Sequence, residues 1–241
     1  MSAASSPAAP APAIQSVERA ARMLGLFTVD EPQLTLADLT ARMQMSKATV
    51  HRYATALRSA GLLRFAGGFY TLGPRVVELA SAALAGLAVM KIAGPYLERL
   101  VATTNETAVL SVWDGEAPVV VRVDDNTNRL VRIIVATGSR LPLDSAQGQV
   151  FRAFLEFDAA DADLQRVREE RLAHYAAVVD GIAALAAPVF QGAEPVATIA
   201  LVGTTSSIEA GSDSTMARAL SDAAENLSTE LGFIEPERKQ P

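Results

Sequence analysis

Apolar positions in the first quarter of the chain recur at three- and four-residue spacing. Val17, Ala20, Ala21, Leu24 and Phe27 share one face behind Ser16 as an N-cap, which predicts a helix over 16–29. "DEPQ" ends it, and Leu36, Leu39 and Met43 predict a second, short helix opening at Thr35. "QMSK" turns the chain. Ser46 then caps a third helix with Val50, Tyr53, Ala54 and Leu57 inward, and Gly61 supplies the left-handed residue that ends it. In "LLRFAGGFYTLG" two β-type runs flank Gly67-Gly68, a pair that suits a tight hairpin because both can take positive φ. Three helices and a hairpin in this order predict a winged helix-turn-helix over 14–73.

"PRVVELASAALAGLAVMK", 74–91, carries a stripe of Val76, Leu79, Ala80, Ala83, Leu84 and Leu87, and its other face is mostly Ala and Gly. A helix apolar on nearly all sides is buried. As a linker it is expected to pack on a second copy, with packing on its own domain as the alternative. Residues 92–234 alternate between both periodicities. "AGPYLERLVATT" reads as a helix. "ETAVLSVWDG", "APVVVRVDD" and "RLVRIIVATG" read as three successive antiparallel strands. "SAQGQVFRAFLEF" and "ADADLQRVREERLAHY" read as helices, "GIAALAAPVF" and "VATIALVGT" as a buried hairpin, and "SDSTMARALSDAAENLSTELGF" as a closing helix. The fold class is therefore α+β in two domains, a winged helix-turn-helix joined by a linker helix to an antiparallel sheet flanked by helices. Residues 1–13, rich in Ala, Pro and Ser, and residues 235–241 are expected to be disordered tails.

Composition narrows the function. The 241 residues hold no cysteine, which removes disulfides, thiolate metal sites and cysteine nucleophiles. The start lacks a basic, then apolar leader, and no apolar run reaches membrane-spanning length, so a soluble cytoplasmic protein is expected. The net charge of −6 hides an asymmetry: residues 14–75 sum to +4 and 76–241 to −10. A basic N-terminal segment on an acidic body fits a polyanion met by the first domain alone.

In a helix-turn-helix the second helix of the pair enters the major groove, and its N-terminal residues meet base edges. Ser46, Lys47, Thr49, His51 and Arg52 are the outward polar residues there. Lys47, Thr49 and His51 are assigned to base edges or nearby phosphates, Arg52 to a phosphate, and Arg64 of the hairpin to a further phosphate. The plain alternative is a solvated helix face. A second function class is an interaction protein that docks partner proteins on the winged helix and senses a small molecule with the other domain.

"SVERAARMLGLF", "LADLTARMQMSKATVHRYATALRSAGLL" and "FYTLG" resemble the N-terminal domain of IclR-type transcriptional regulators. "GSRLPLDSAQGQVFRAF" and "GIAALAAPVF…VATIALVG" resemble that family's effector-binding domain. The resemblance spans residues 14–232. It implies a GAF-like effector domain, a dimer or dimer of dimers, and control of operator binding by a small molecule. Carried over position by position, it implies an effector pocket at Ser145, Ala146 and Gln147 of a helix start, Val178 and Val179 of a loop, Ala184 on one strand, and Ala200 and Val202 on the next. The helix start would hold a carboxylate through its N–H groups. The small apolar walls suit an aromatic or alkyl carboxylic acid. The chain departs from the family at Gln149, where Lys or Arg is usual, and at His174-Tyr175 with a short "AAVVD" before Gly181, which points away from the family's usual small oxoacids.

Enzyme chemistry finds little support. His174 is the only histidine after the first domain and is expected to close an amphipathic helix; no "GxSxG" elbow is present to pair with it. The two histidines lie in different domains, and "DDNTN" lacks the spacing of a calcium loop, reading instead as a turn. "AGG" at 66–68 belongs to the hairpin. No cofactor, metal or membrane is expected.

Overall fold

The structure, a computed structural model, describes residues 14–125, 133–155, 161–177, 181–209 and 211–233. Both expected tails, 1–13 and 235–241, lie outside these residues. The chain divides into two compact units, one ending at Ala82 and one beginning at Ala83.

The first unit contains α1 (Gln15–Leu24), α2 (Leu36–Met43), α3 (Lys47–Ser59) and the hairpin β1 (Leu63–Ala66) and β2 (Phe69–Leu72). Helix α1 stops five residues short of the sequence expectation. Gly25 caps it, and Phe27 enters the core from the following turn instead of from the helix. Thr35 caps α2 in a reciprocal capping box, its Oγ1 accepting from the Asp38 N–H while Asp38 accepts from the Thr35 N–H. The Thr35 hydroxyl and N–H hold the Asp38 carboxyl below its ordinary pKa. Gln44 takes the left-handed conformation between α2 and α3, and Ser46 caps α3 through the Thr49 N–H. Gly61, Gly67 and Gly68 have positive φ, as their positions required. Met23, Leu39, Met43, Val50, Ala54, Leu57, Leu63 and Tyr70 form one core, with Tyr53 only half-buried at its margin. A bridge between Leu34 and Tyr70 fastens the hairpin to the entry of α2.

The expected linker helix is two helices, α4 (Pro74–Gly86) and α5 (Ala88–Ile92). Leu87 is extended between them, directly after Gly86, where the helix is intrinsically weakest. Helix α4 buries no residue: Val77 is 67% and Leu79 53% exposed.

The second unit adds α6 (Gly94–Thr104), β3 (Thr107–Trp113), β4 (Pro118–Asp124), α7 (Ala146–Leu155), α8 (Ala162–Glu170), β5 (Ala173–Ala177), β6 (Ile182–Gln191), β7 (Glu194–Thr204) and α9 (Thr215–Glu230). The five strands form one antiparallel sheet in the order β4-β3-β7-β6-β5. Leu110, Leu185, Ile199 and Leu201 face α6 and α9; Val109, Ala184, Ala186, Ala200 and Val202 face α7 and α8. Packing on both faces explains why β6 and β7 read as unbroken apolar runs.

Two expectations about this unit are corrected. The third strand expected at 129–138 falls partly outside the described residues, and 133–138 form no strand. Instead Ser139 and Leu141 bond along the edge of β4, with Val119 bridged to Arg140. The helix expected over 160–175 ends at Glu170: Arg171 turns left-handed at φ 51°, and His174 and Tyr175 lie in β5. His174 is therefore an exposed residue of an edge strand, not a helix terminus. Of "DDNTN", Asp124 ends β4 paired with Arg122 and Asp125 accepts from the Thr107 hydroxyl, while 126–128 lie outside the described residues. Ser214 caps α9 through the Ala217 N–H at 3.0 Å. Ser214→Ala is expected to cost about 1 kcal/mol, read as a lower urea midpoint for the second unit.

Candidate DNA interface and ligand pocket

The start of α3 is organised by its cap. Ser46 Oγ accepts from the Thr49 N–H at 3.3 Å and lies 2.9 Å from Thr49 Oγ1. The pair fixes the first turn and leaves Lys47, His51 and Arg52 exposed beyond it. Lys47 and His51, four apart, share a face. From Leu39 to Val77 the chain holds six Lys/Arg and no Asp or Glu. Arg42 is paired with Glu31 at 2.7 Å and Arg75 with Glu78 at 3.5 Å. Among the described residues no acid pairs with Lys47, Arg52, Arg58 or Arg64. Four cations without acidic partners therefore surround α3 and the hairpin, which gives one region of an acidic chain a positive field. Arg64 lies on the exposed side of β1, so the structure places all six sequence-assigned residues within this one unit.

In the second unit, α7 starts against the sheet. Ser145 caps it: its Oγ donates to the Pro142 carbonyl at 2.6 Å and accepts from the Gly148 N–H at 3.1 Å. The Ser145 hydroxyl proton is thus already committed within the loop. The N–H groups of Ala146 and Gln147, in the first turn, have no intrahelical acceptor. Gln147 is 4% exposed, and no described residue hydrogen-bonds its side-chain amide.

The sheet brings the strand positions together. Val202 lies opposite both Ala184 and Thr107, and Ala184 is opposite Tyr175; the next row is Val109, Ala200, Ala186 and Ala173. Ala146, Ala184, Ala200 and Val202 belong to one cluster between the sheet and α7. Val178 and Val179 lie outside the described residues. Tyr175, half-buried against the same cluster, was hidden from the sequence reading by its assignment to a helix. "LAHYAA" after Arg171 does not alternate, and the strand forms by its pairing with β6.

Residues 16–67 match the IclR helix-turn-helix domain, and residues 81–177 match the C-terminal domain of bacterial IclR transcriptional regulators. Together the two matches take up more than half of the chain. The chain belongs to the IclR family. IclR proteins are DNA-binding transcriptional regulators, not enzymes, so the basic face of α3 belongs to a DNA-binding domain. The DNA-binding transcriptional repressor YiaJ of Escherichia coli is 25% identical over 91% of this chain and 88% of its own length. The HTH-type regulator KipR of Bacillus subtilis is 33% identical over 59% of this chain, and the match spans about half of its own length, 56%. An IclR homologue from Microbacterium hydrocarbonoxydans, solved in complex with 4-hydroxybenzoate, superposes with a TM-score of 0.71 at 20% identity, covering 90% of this chain and 99% of its own. That last likeness is one of fold. No helix among the described residues is long and apolar enough to cross a membrane.

Proposed function

We propose that this IclR-family regulator reads its operator with Lys47, Thr49 and His51 at base edges. In this reading Ser46 positions the helix start, and Arg52 and Arg64 hold phosphates. The observation that carries it is the thirty-nine-residue stretch without an acid around a capped helix whose cations have no acidic partner among the described residues. Residues 14–73 act as the DNA-binding domain, 74–91 as the linker through which two copies associate, and 92–234 as the effector domain. The effector is an aromatic or alkyl carboxylic acid. Its carboxylate meets the first turn of α7 at Ala146 and Gln147, beside Ser145. Its body lies on the small residues Ala184, Ala200 and Val202, with Tyr175 at the side, and the resemblance adds Val178 and Val179. The N–H donors of Ala146 and Gln147 left free in the first turn, the largely buried Gln147 and an alanine-lined sheet support this chemistry. So does the aromatic acid bound by the Microbacterium homologue. Occupancy of the pocket alters operator affinity.

The test is titration of the full chain into the intergenic DNA beside its own gene at several salt concentrations, with and without a panel of carboxylic acids. Arg52→Ala is expected to weaken binding to that DNA and to random DNA alike, lowering the log K against log salt slope by about 0.9. Lys47→Ala and Thr49→Ala are expected instead to change the preference between sites, by about 1–3 kcal/mol per lost base contact. Equal losses on every sequence would overturn the base-reading role of Lys47 and Thr49. An affinity indifferent to every acid in the panel would overturn the effector class.

A further inference from the structure

The hairpin carries a second feature that the basic face does not explain. Pairing of Leu63 with Leu72 and of Phe65 with Tyr70 puts these four side chains on one face, where Leu63 and Tyr70 are buried in the core. Pairing of Arg64 with Thr71 and of Ala66 with Phe69 puts the other four on the outer face. The tip, Phe65 to Phe69, contains no charged side chain, yet its two rings are 44% and 43% exposed. Phe65 is held from behind, its ring 4.7 Å from Tyr70 and 5.5 Å from the Arg58 guanidinium. Phe69 has no aromatic or cation contact among the described residues. It stands on the outer face beside Arg64, at the end of a turn whose Gly67 and Gly68 have open space where a side chain would begin.

We propose that Phe69 is an apolar wedge that the hairpin inserts into the DNA minor groove flanking the major groove read by α3, bending the duplex. This rests on the placement of α3 in the major groove. The tip offers no side chain to a phosphate, so it does not act as a clamp of the backbone. The minor groove is about 6 Å wide, too narrow for a helix but open to a ring. Phenylalanine is among the side chains that unstack a base step and kink the duplex there. The two glycines let the backbone approach the sugar-phosphate walls, and Arg64, on the same face, supplies the adjoining phosphate contact. Charge argues for DNA over a second copy of the chain. The outer face shares the stretch that has cations and no acid, so two such faces would repel.

The experiment uses the full chain and a duplex selected by it from a random-sequence pool, end-labelled so that bending is read by energy transfer. Wild type is expected to bend this duplex by roughly 20–90°. Phe69→Ala is expected to lose about tenfold in affinity and most of the bend while keeping the salt slope, since no ion contact is removed. Phe69→Leu, still an apolar wedge, is expected to retain most of both. Arg64→Ala is expected to keep the bend and to lower the salt slope by about 0.9. Phe69 is too exposed for its loss to unfold the domain, which an unchanged thermal midpoint will verify. A straight duplex with wild type, or a Phe69→Ala protein within twofold of wild type with the bend intact, overturns the wedge. So does a change in the sedimentation of free Phe69→Ala, which would assign the ring to a second copy. If Lys47→Ala and Arg52→Ala weaken binding while Phe69→Ala does not, the wedge alone fails. If none of the three weakens binding, the α3 reading fails and takes the wedge with it.

Discussion

Leu79→Asp is expected to convert the protein to monomers and to lower operator affinity by about a hundredfold or more. Helix α4 has an apolar composition but buries none of its residues, and Leu79 is 53% exposed with Val77 at 67%. Each such side chain fully covered by a second copy contributes about 1.5–3 kcal/mol. In a symmetric pair the substitution enters twice. It removes that burial from both copies and places two carboxylates against the same apolar seam, where desolvation and mutual repulsion both disfavour their charged forms. The fold of the single chain loses little, because the side chain is already half in water. Two winged helices held together bind paired half-sites as one event, and linking two binding modules is worth about 10²–10⁴ in affinity. Sedimentation velocity and a DNA titration check both halves of the expectation. A dimer of unchanged stability would remove α4 from the interface. Leu84, on the same helix, is half-buried within the chain, so its replacement would confuse folding with association.

What was legible in the sequence is what local chemistry decides. Thr35 and Ser46 announced α2 and α3 because each side chain caps a backbone N–H three residues on. Gly67-Gly68 announced the hairpin because both φ angles are positive. The continuous apolar runs announced β6 and β7 because both faces of that sheet are covered. The errors fall where the deciding partner is distant or the local signal is wrong. Arg171 ends α8 in a left-handed conformation that arginine does not advertise, and β5 becomes a strand because it pairs with β6. The break at Leu87 follows a single Gly in an alanine-rich run that otherwise favours helix. The proposed DNA-contacting residues were picked from their place at the start of α3 and, for Arg64, from the hairpin. Of the proposed pocket, the small residues at 146, 184, 200 and 202 came through resemblance and share one cluster, whereas Tyr175 joins that cluster only through a cross-strand register that no local pattern contains.

Gly148→Ala is expected to destabilise the second unit by about 3 kcal/mol, the upper end of ordinary overpacking, and to abolish the effector response while leaving effector-free DNA binding within about threefold. A Cβ at this position would lie 2.5 Å from the Leu143 carbonyl oxygen, 2.6 Å from its carbon and 2.6 Å from the Pro142 oxygen. All three are backbone atoms, so no side-chain rotation relieves the clash. The segment is also tied from the other side, because Ser145 bonds both the Pro142 carbonyl and the Gly148 N–H. Relief therefore requires the loop from Pro142 to Ser145 to move away from the start of α7. That movement breaks the cap and displaces the N–H groups of Ala146 and Gln147, the donors proposed to hold the effector carboxylate. For a unit of this size 3 kcal/mol corresponds to a fall of about 6–12 °C in the thermal midpoint. Thermal unfolding of the full chain reads that fall without any ligand, and operator titration with the active acid reads the response. A midpoint near that of wild type with the response intact would mean that the loop yields freely. The start of α7 would then not be the rigid cradle that holds the carboxylate. A lowered midpoint with an intact response would keep the loop structural and move the carboxylate elsewhere in the domain.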